Sequence, residues 1–142
     1  MVDRLLVPYD GSAAAAEALR YAFETFPDAT VEVLYVVEPF AAHTDAGSDD
    51  ARREWRDRAA AIAGERFDEA RAIAAEYDAA IETEWRYGRP GHEIVDRVAA
   101  DDVDQVVMGC HGRSGIERLM LGSVAETTIR RSEVPVTVIP EA

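Results

Sequence analysis

The chain has 142 residues, and its 28 acidic residues against 15 basic ones give a formal net charge of −13 at pH 7. Every basic residue is arginine, so the chain lacks the lysine that a P-loop or a Schiff-base enzyme requires, and both classes are excluded. An acidic surface also disfavours nucleic acid and anionic membranes as partners, since both are bound chiefly through Lys and Arg.

Five apolar segments, taken in chain order, predict five strands. RLLVPY at 4–9 and TVEVLYVV at 30–37 are typical of strands buried on both faces of a parallel sheet. IETEWRY at 81–87 alternates, which indicates a strand nearer an edge, with one face formed by Ile81, Thr83, Trp85 and Tyr87. DQVVMG at 104–109 and VPVTVIP at 134–140 complete the set, and the last strand is also expected at an edge.

Between the strands, apolar residues recur at three- and four-residue steps and predict four helices. The first helix carries Ala15, Leu19, Ala22, Phe23 and Phe26. The second spans 49–77, and its apolar stripe is interpreted as core: Trp55, Ala59, Ile62, Ala63, Phe67, Ala70, Ile73, Ala74 and Tyr77. The third carries Ile94, Val95, Val98 and Ala99, and the fourth is SVAETTIRRS at 123–132.

The alternation of strands and helices predicts an α/β fold: a single doubly wound, Rossmann-like domain over residues 1–142, with a five-stranded parallel sheet and four helices. In such sheets ligands bind beyond the carboxyl ends of the strands, where the strand order reverses. Functional residues are therefore expected in the segments that follow the strands.

One segment of this kind, MGCHGRSGIERLMLGSV at 108–124, is rich in glycine. Gly109 and Gly112 follow a strand, where missing side chains let backbone amides approach a ligand. Gly122 and Ser123 open the next helix, whose free amides and positive dipole end favour phosphate. Arg113 and the adjacent Ser114 add donors, so the segment predicts a site for an anion such as a polyphosphate.

The same segment resembles the Gly-x-x-Gly, nine residues, Gly-Ser/Thr signature of ATP-binding members of the universal stress protein family. Further segments resemble other blocks of that family, in the same order and over nearly the whole chain: RLLVPYDGS, VLYVVEP, YGRPGHEIVDRVAADDVDQVVMG and GSVAETTIRRSEVPVTVIP. The resemblance implies a homodimeric, adenine-nucleotide-hydrolase-like protein. It would bind ATP, with or without Mg²⁺, and hold adenosine near the first two strands.

The resemblance also implies site residues at matching positions. The phosphate and ribose loop corresponds to Gly109, Gly112, Gly122 and Ser123, and further lining positions are Met108, His111 and Val124. The first-strand segment that would contact adenosine corresponds to Pro8, Tyr9 and Asp10. Val36 or Val37 would place a backbone group against adenine. Tyr9 replaces the small residue common in the family, so its bulk is expected to narrow the adenine pocket.

Several of these residues have structural readings as well. Asp10 is also explained as a turn residue before Gly11. The glycines of the segment at 108–124 are also explained if they only form turns. Cys110 and His111 are neighbours on an extended segment, so their side chains point apart and a catalytic pair is not expected. His43, His92 and His111 lack a metal-ligand spacing, and no metal site is predicted.

Two functions follow as hypotheses. The first is a nucleotide-dependent regulator of the stress response with little or no catalysis. The second is a slow ATP-hydrolysing enzyme, which the absence of lysine and of a positioned base disfavours. The resemblance further implies a two-fold dimer through the last strand, centred on Val136 and Val138.

Composition bears on the source and the compartment. An excess of acidic residues without lysine favours a halophilic origin, whereas a GC-rich genome alone explains only the missing lysine. Asp3 and Arg4 interrupt the amino terminus, no segment is long enough to span a bilayer, and Cys110 has no intrachain partner. We therefore expect a cytoplasmic protein.

Overall fold

The computed structural model describes residues 2–38, 49–100, 102–110 and 122–140. Its strands are β1 (Arg4–Pro8), β2 (Thr30–Val37), β3 (Ile81–Tyr87), β4 (Gln105–Cys110) and β5 (Val136–Pro140). Its helices are α1 (Ala13–Thr25), α2 (Asp49–Ala75), α3 (Pro90–Val98) and α4 (Ser123–Arg131). Helices follow strands throughout, as the periodicity predicts.

The five strands form one parallel sheet in the order β3-β2-β1-β4-β5. The chain runs outward from β1 to β3 on one side and resumes at β4 on the other, so the strand order reverses between β1 and β4. This is the predicted doubly wound α/β architecture. β3 and β5 lie at the two edges, which confirms both edge predictions.

Alternating side chains of the strands build one core on each face of the sheet. Leu5 and Val7 of β1 pack with α1 and α2, in a cluster that includes Leu19 and Phe67. Leu6, between them, points to the opposite face and joins a smaller cluster formed with α3 and α4: Leu34, Ile94, Val98, Val103, Val106, Met108 and Ala125. Central strands are therefore buried on both faces, as their apolar runs predict.

A buried ion pair lies within the second layer. Arg97 of α3 donates from Nε and Nη2 to the two carboxylate oxygens of Glu32 on β2, at 2.7 and 2.6 Å. Arg97 Nη1 also donates to Asp102 at 2.6 Å, and Arg4 Nη1 donates to Glu32 at 3.0 Å. The bond from Arg97 holds the pKa of Asp102 below its usual range. The charges are thus paired, which the burial of Glu32 and Arg97 requires.

Some sequence expectations need correction. Ile62 was expected in the core stripe of α2, but its side chain is exposed. Ala99, the C-cap of α3, is also exposed, while Arg97 is buried. The last strand begins at Val136 rather than Val134, because Ser132 and Val134 bond to each other in a turn after α4.

Candidate functional site

A cavity of about 400 Å³ opens at the carboxyl ends of β1, β2 and β4. It lies where the strand order reverses, which is the position expected for a ligand in a doubly wound sheet. Its size is that of a small-molecule site. Its described lining comprises Pro8, Tyr9, Asp10, Ser12, Ala15, Leu34, Tyr35, Val36, Glu38, Pro90, Ile94, Met108, Gly109, Gly122, Ser123, Val124 and Ala125.

The turn between β1 and α1 is organised by two lining side chains. Asp10 Oδ1 accepts a hydrogen bond from the Ser12 amide at 2.9 Å. Ser12 is the N-cap of α1, and its Oγ accepts from the Ala15 amide at 3.1 Å. Gly11 has a φ of +86°, which glycine adopts without strain. Asp10 therefore has the turn role considered in the sequence and also lines the cavity.

The structure distinguishes between Val36 and Val37. The Tyr9 amide donates to the Leu34 carbonyl at 2.9 Å, where β1 ends, and β2 continues beyond it. By alternation, the backbone of Val36 faces the same side as that of Leu34 and looks past the end of β1. The Val37 carbonyl instead accepts from the Gly88 amide, on the β3 side. Val36 lines the cavity, so it is the residue whose backbone is available there.

The Tyr9 ring lies on the α1 and α2 face of the sheet. It packs in the α1 and α2 layer, and its hydroxyl donates to Glu69 of α2 at 3.0 Å. Burial, followed by this bond, raises the pKa of Tyr9 to about 12. Leu34, Ile94 and Met108 belong to the opposite layer. By strand alternation the Tyr9 ring points into the α1 and α2 layer, although Tyr9 is also part of the cavity lining, so the narrowing of the pocket by its bulk stays a prediction.

The two described glycines of the loop motif serve different purposes. A Cβ built on Gly109 would lie 2.5 Å from the carbonyl carbon of Ala14, so α1 occupies the space beside it. A Cβ built on Gly122 would meet no described atom within 4 Å. Gly122 has φ −66° and ψ 160°, which any residue adopts. Within the described residues, neither packing nor backbone geometry requires glycine at 122. The remaining explanation for glycine there is that it leaves the approach to the cavity open.

Gly122 is also the N-cap of α4, and it provides no side-chain cap for the first turn. Ser123 begins the helix, as predicted, and its hydroxyl is exposed. The amide groups of a first helical turn have no partner within the helix and carry partial positive charge. The α4 amino terminus, Gly122 and Ser123 together can accept an anionic group.

Four predicted loop residues cannot be placed. His111, Gly112, Arg113 and Ser114 lie outside the described residues, as does His43. In the described lining the charged residues are Asp10 and Glu38, both acidic. Glu38 was not anticipated from the sequence, although an acidic residue directly after the second strand is a known ribose-binding signal in doubly wound folds.

The side chains and helices that the structure describes, at 2–38, 49–100, 102–110 and 122–140, also bear on metal binding and on membrane spans. Over those residues, no group of three or more His, Cys, Asp and Glu side chains is arranged to hold a metal ion. Among the same residues, no helix has both the length and the apolar character needed to cross a membrane. Cys110, at the end of β4, is buried.

The fold is that of an α/β protein with a cavity at the switch point of a parallel sheet. The sequence pattern described as "Universal stress protein family" matches residues 1–140. The chain belongs to the universal stress protein family.

Individual relatives agree with this assignment. The chain is similar to universal stress protein MJ0531 of Methanocaldococcus jannaschii, with 34% identity over 98% of this chain and 82% of that protein. Its fold is similar to that of MJ0577 of the same organism, with a TM-score of 0.78 and 26% identity over 100% of this chain and 98% of the other. A universal stress protein solved in complex with cAMP has a TM-score of 0.69 at 24% identity, covering 99% of each chain.

Proposed function

We propose that this protein binds ATP in the switch-point cavity and acts as a nucleotide-dependent regulator in the stress response. The observation that carries the proposal is Gly122, where the described structure leaves open space beside an uncapped helix amino terminus. A side chain there would fill the approach to the first amides of α4. A phosphate group is the ligand that such amides favour.

The nucleotide would lie across the carboxyl edge of the sheet. Its phosphates would bind at Gly122, Ser123 and Val124, and its nucleoside would lie over Pro8 and Val36. The backbone of Val36 offers one donor and one acceptor, which match the ring nitrogen and amino group of adenine. The related structure that contains cAMP supports an adenine nucleotide as the ligand class.

We propose binding with little or no catalysis. The chain has no lysine to stabilise charge on a transferring phosphoryl group. The acidic lining residue Asp10 is held by the turn, because its carboxylate accepts the Ser12 amide. Two carboxylates in the lining also repel phosphates, and Mg²⁺ bound with the nucleotide would reduce that repulsion.

Mass spectrometry of the ligand released from purified protein, followed by calorimetry with ATP, tests this function. We expect an adenine nucleotide, binding with and without Mg²⁺, and negligible release of phosphate over many binding lifetimes. Failure to bind any adenine nucleotide would refute the proposal. Steady turnover would instead support the slow hydrolase.

We also propose a homodimer through β5. This edge strand pairs with β4 on one side, and its Val136 and Val138 are only partly buried. An open apolar edge favours association, and a two-fold contact closes without forming fibres. Val136→Asp with Val138→Asp should give monomers in sedimentation at high salt, whereas Thr83→Asp on the opposite edge should remain dimeric. A folded double variant that stays dimeric would rule out this interface.

A further inference from the structure

We infer that Glu38 is the side chain through which the cavity selects the nucleoside, by accepting a hydrogen bond from a hydroxyl or amino donor of the ligand. The inference rests on the proposed nucleotide function. It concerns which nucleotide is preferred, rather than whether one binds.

Glu38 is an exposed carboxylate in the cavity lining at the end of β2. It lines the cavity directly after β2 and makes no hydrogen bond or ion pair with any residue in the described ranges. Among the other polar side chains of the lining, Asp10 accepts the Ser12 amide and Ser12 accepts the Ala15 amide, while Tyr35 packs against the α1 and α2 layer. The Tyr9 hydroxyl donates to Glu69 in the other layer.

The position of Glu38 assigns it to the nucleoside half of the ligand. Because β1 lies between β2 and β4, the ends of β2 and β4 are about 10 Å apart. Phosphates bound at the α4 amino terminus, which follows β4, would therefore place the sugar and base toward Glu38. A carboxylate beside the phosphates would repel them. At this distance the Glu38 carboxylate is instead available to accept hydrogen bonds from the nucleoside.

The chemistry of a carboxylate limits what Glu38 can recognise. Ionised, it accepts hydrogen bonds and donates none. The donors on adenosine are the ribose hydroxyls and the amino group of adenine. A ligand that lacks the contacted donor, or replaces it with an oxygen acceptor, leaves the carboxylate without its bond. Such a loss at a charged partner corresponds to about 10-fold or more in affinity.

Calorimetric titration of ATP, 2′-deoxy-ATP and inosine triphosphate into three proteins tests the inference. The proteins are the unmodified chain, Glu38→Ala, and Glu65→Ala as a control. Glu65 is an exposed carboxylate on α2, away from the cavity, so its variant matches the change in net charge. All three ligands carry the same triphosphate, so repulsion between Glu38 and the phosphates cancels in their affinity ratios.

We expect Glu38→Ala to lower the preference for ATP over one of the two analogues by about 10-fold relative to the unmodified protein, while any preference due to the Val36 backbone is the same in both proteins. The analogue that is discriminated identifies the donor as ribose hydroxyl or adenine amine. The Glu65→Ala variant should keep the preference. If ATP binds but its preference over both analogues is equal in Glu38→Ala and the unmodified protein, the role of Glu38 is refuted. Absence of ATP binding to the unmodified protein would refute the proposed function instead.

Discussion

Gly109 of β4 and Ala14 of α1 approach so closely that a Cβ on the glycine would lie 2.5 Å from the Ala14 carbonyl carbon. The contact brings the amino terminus of α1 against the end of β4. Gly109 lines the candidate site, yet its lack of a side chain is explained by packing between two elements.

Gly109→Ala should therefore lower the stability of the fold. The added methyl group meets backbone atoms of α1, which cannot move aside as a flexible side chain would. Overpacking of this kind costs roughly 1 to 3 kcal/mol or more in the free energy of unfolding. Gly64→Ala is a matched control within α2, because its Cβ would meet nothing within 4 Å, and it should be neutral or stabilising. Urea unfolding that ranks the two variants equally would contradict this account.

Gly122→Val should have the opposite phenotype. A Cβ at position 122 would meet no described atom within 4 Å, so the melting temperature should change little. The β-branched group would cover the first amides of α4 and block a phosphate, and calorimetry should show nucleotide binding abolished. Unchanged ATP affinity in a folded Gly122→Val protein would remove the phosphate site from α4.

Removal of one partner of the buried pair between Arg97 and Glu32 should be strongly destabilising. Arg97→Met leaves the carboxylate of Glu32 with its single bond from Arg4, and we expect a loss of about 3 kcal/mol in unfolding free energy. The double variant Arg97→Met with Glu32→Leu should recover most of that loss, because no buried charge remains uncompensated. A double-mutant cycle by chemical unfolding measures the coupling. Additive effects would show that the pair is not an energetic unit.

The raised pKa of Tyr9 gives a prediction at alkaline pH. The folded state holds the proton more tightly than the unfolded chain, so the neutral hydroxyl contributes stability that is fully present below pH 10. That contribution should be lost as pH rises toward about 12, where the Tyr9 phenol ionises in the fold. Tyr9→Phe should show a smaller fall in unfolding free energy over this interval. Identical pH slopes for the two proteins would contradict the assignment.

The net charge of −13 predicts that stability depends on salt. Below about 0.5 M salt the melting temperature should fall. High salt shortens the distance over which the carboxylates repel one another, and dilution removes this screening. The buried pair of Arg97 and Glu32 is shielded from solvent ions and should contribute at all salt concentrations. Thermal melting from low to molar salt checks this prediction. Equal stability throughout would overturn the halophilic interpretation.

Much of the architecture could be predicted because it depends on local apolar patterns. Leu5, Leu6 and Val7 are buried together, as their uninterrupted run indicates for a central strand. Ile62 was misplaced because helical periodicity shows the approximate face of α2 but not how far the sheet covers it. The buried ion pair could also have been predicted from the position of Glu32 in the sequence. A charge in the middle of a strand buried on both faces requires a buried partner, here Arg97.

The site was predicted less completely, because its details depend on contacts distant in sequence. The order of the motif correctly indicated Gly122 and Ser123 at the start of α4. The direction of the Tyr9 ring and the closeness of Gly109 to Ala14 follow from how β1 and α1 sit on the sheet, and no local pattern reports that. Val36 could be separated from Val37 only once the end of β1 was known.

The two hydrophobic layers differ in size, and the cavity belongs mainly with the smaller one, beside Ile94 and Met108. Local opening of a protein is drawn from the regions with fewer buried apolar contacts. A ligand in the cavity would join α4 to the ends of β1 and β2, and its binding free energy would add to the layer that has less packing of its own. The empty and occupied proteins would then differ mainly in how easily the smaller hydrophobic layer opens independently of the larger one.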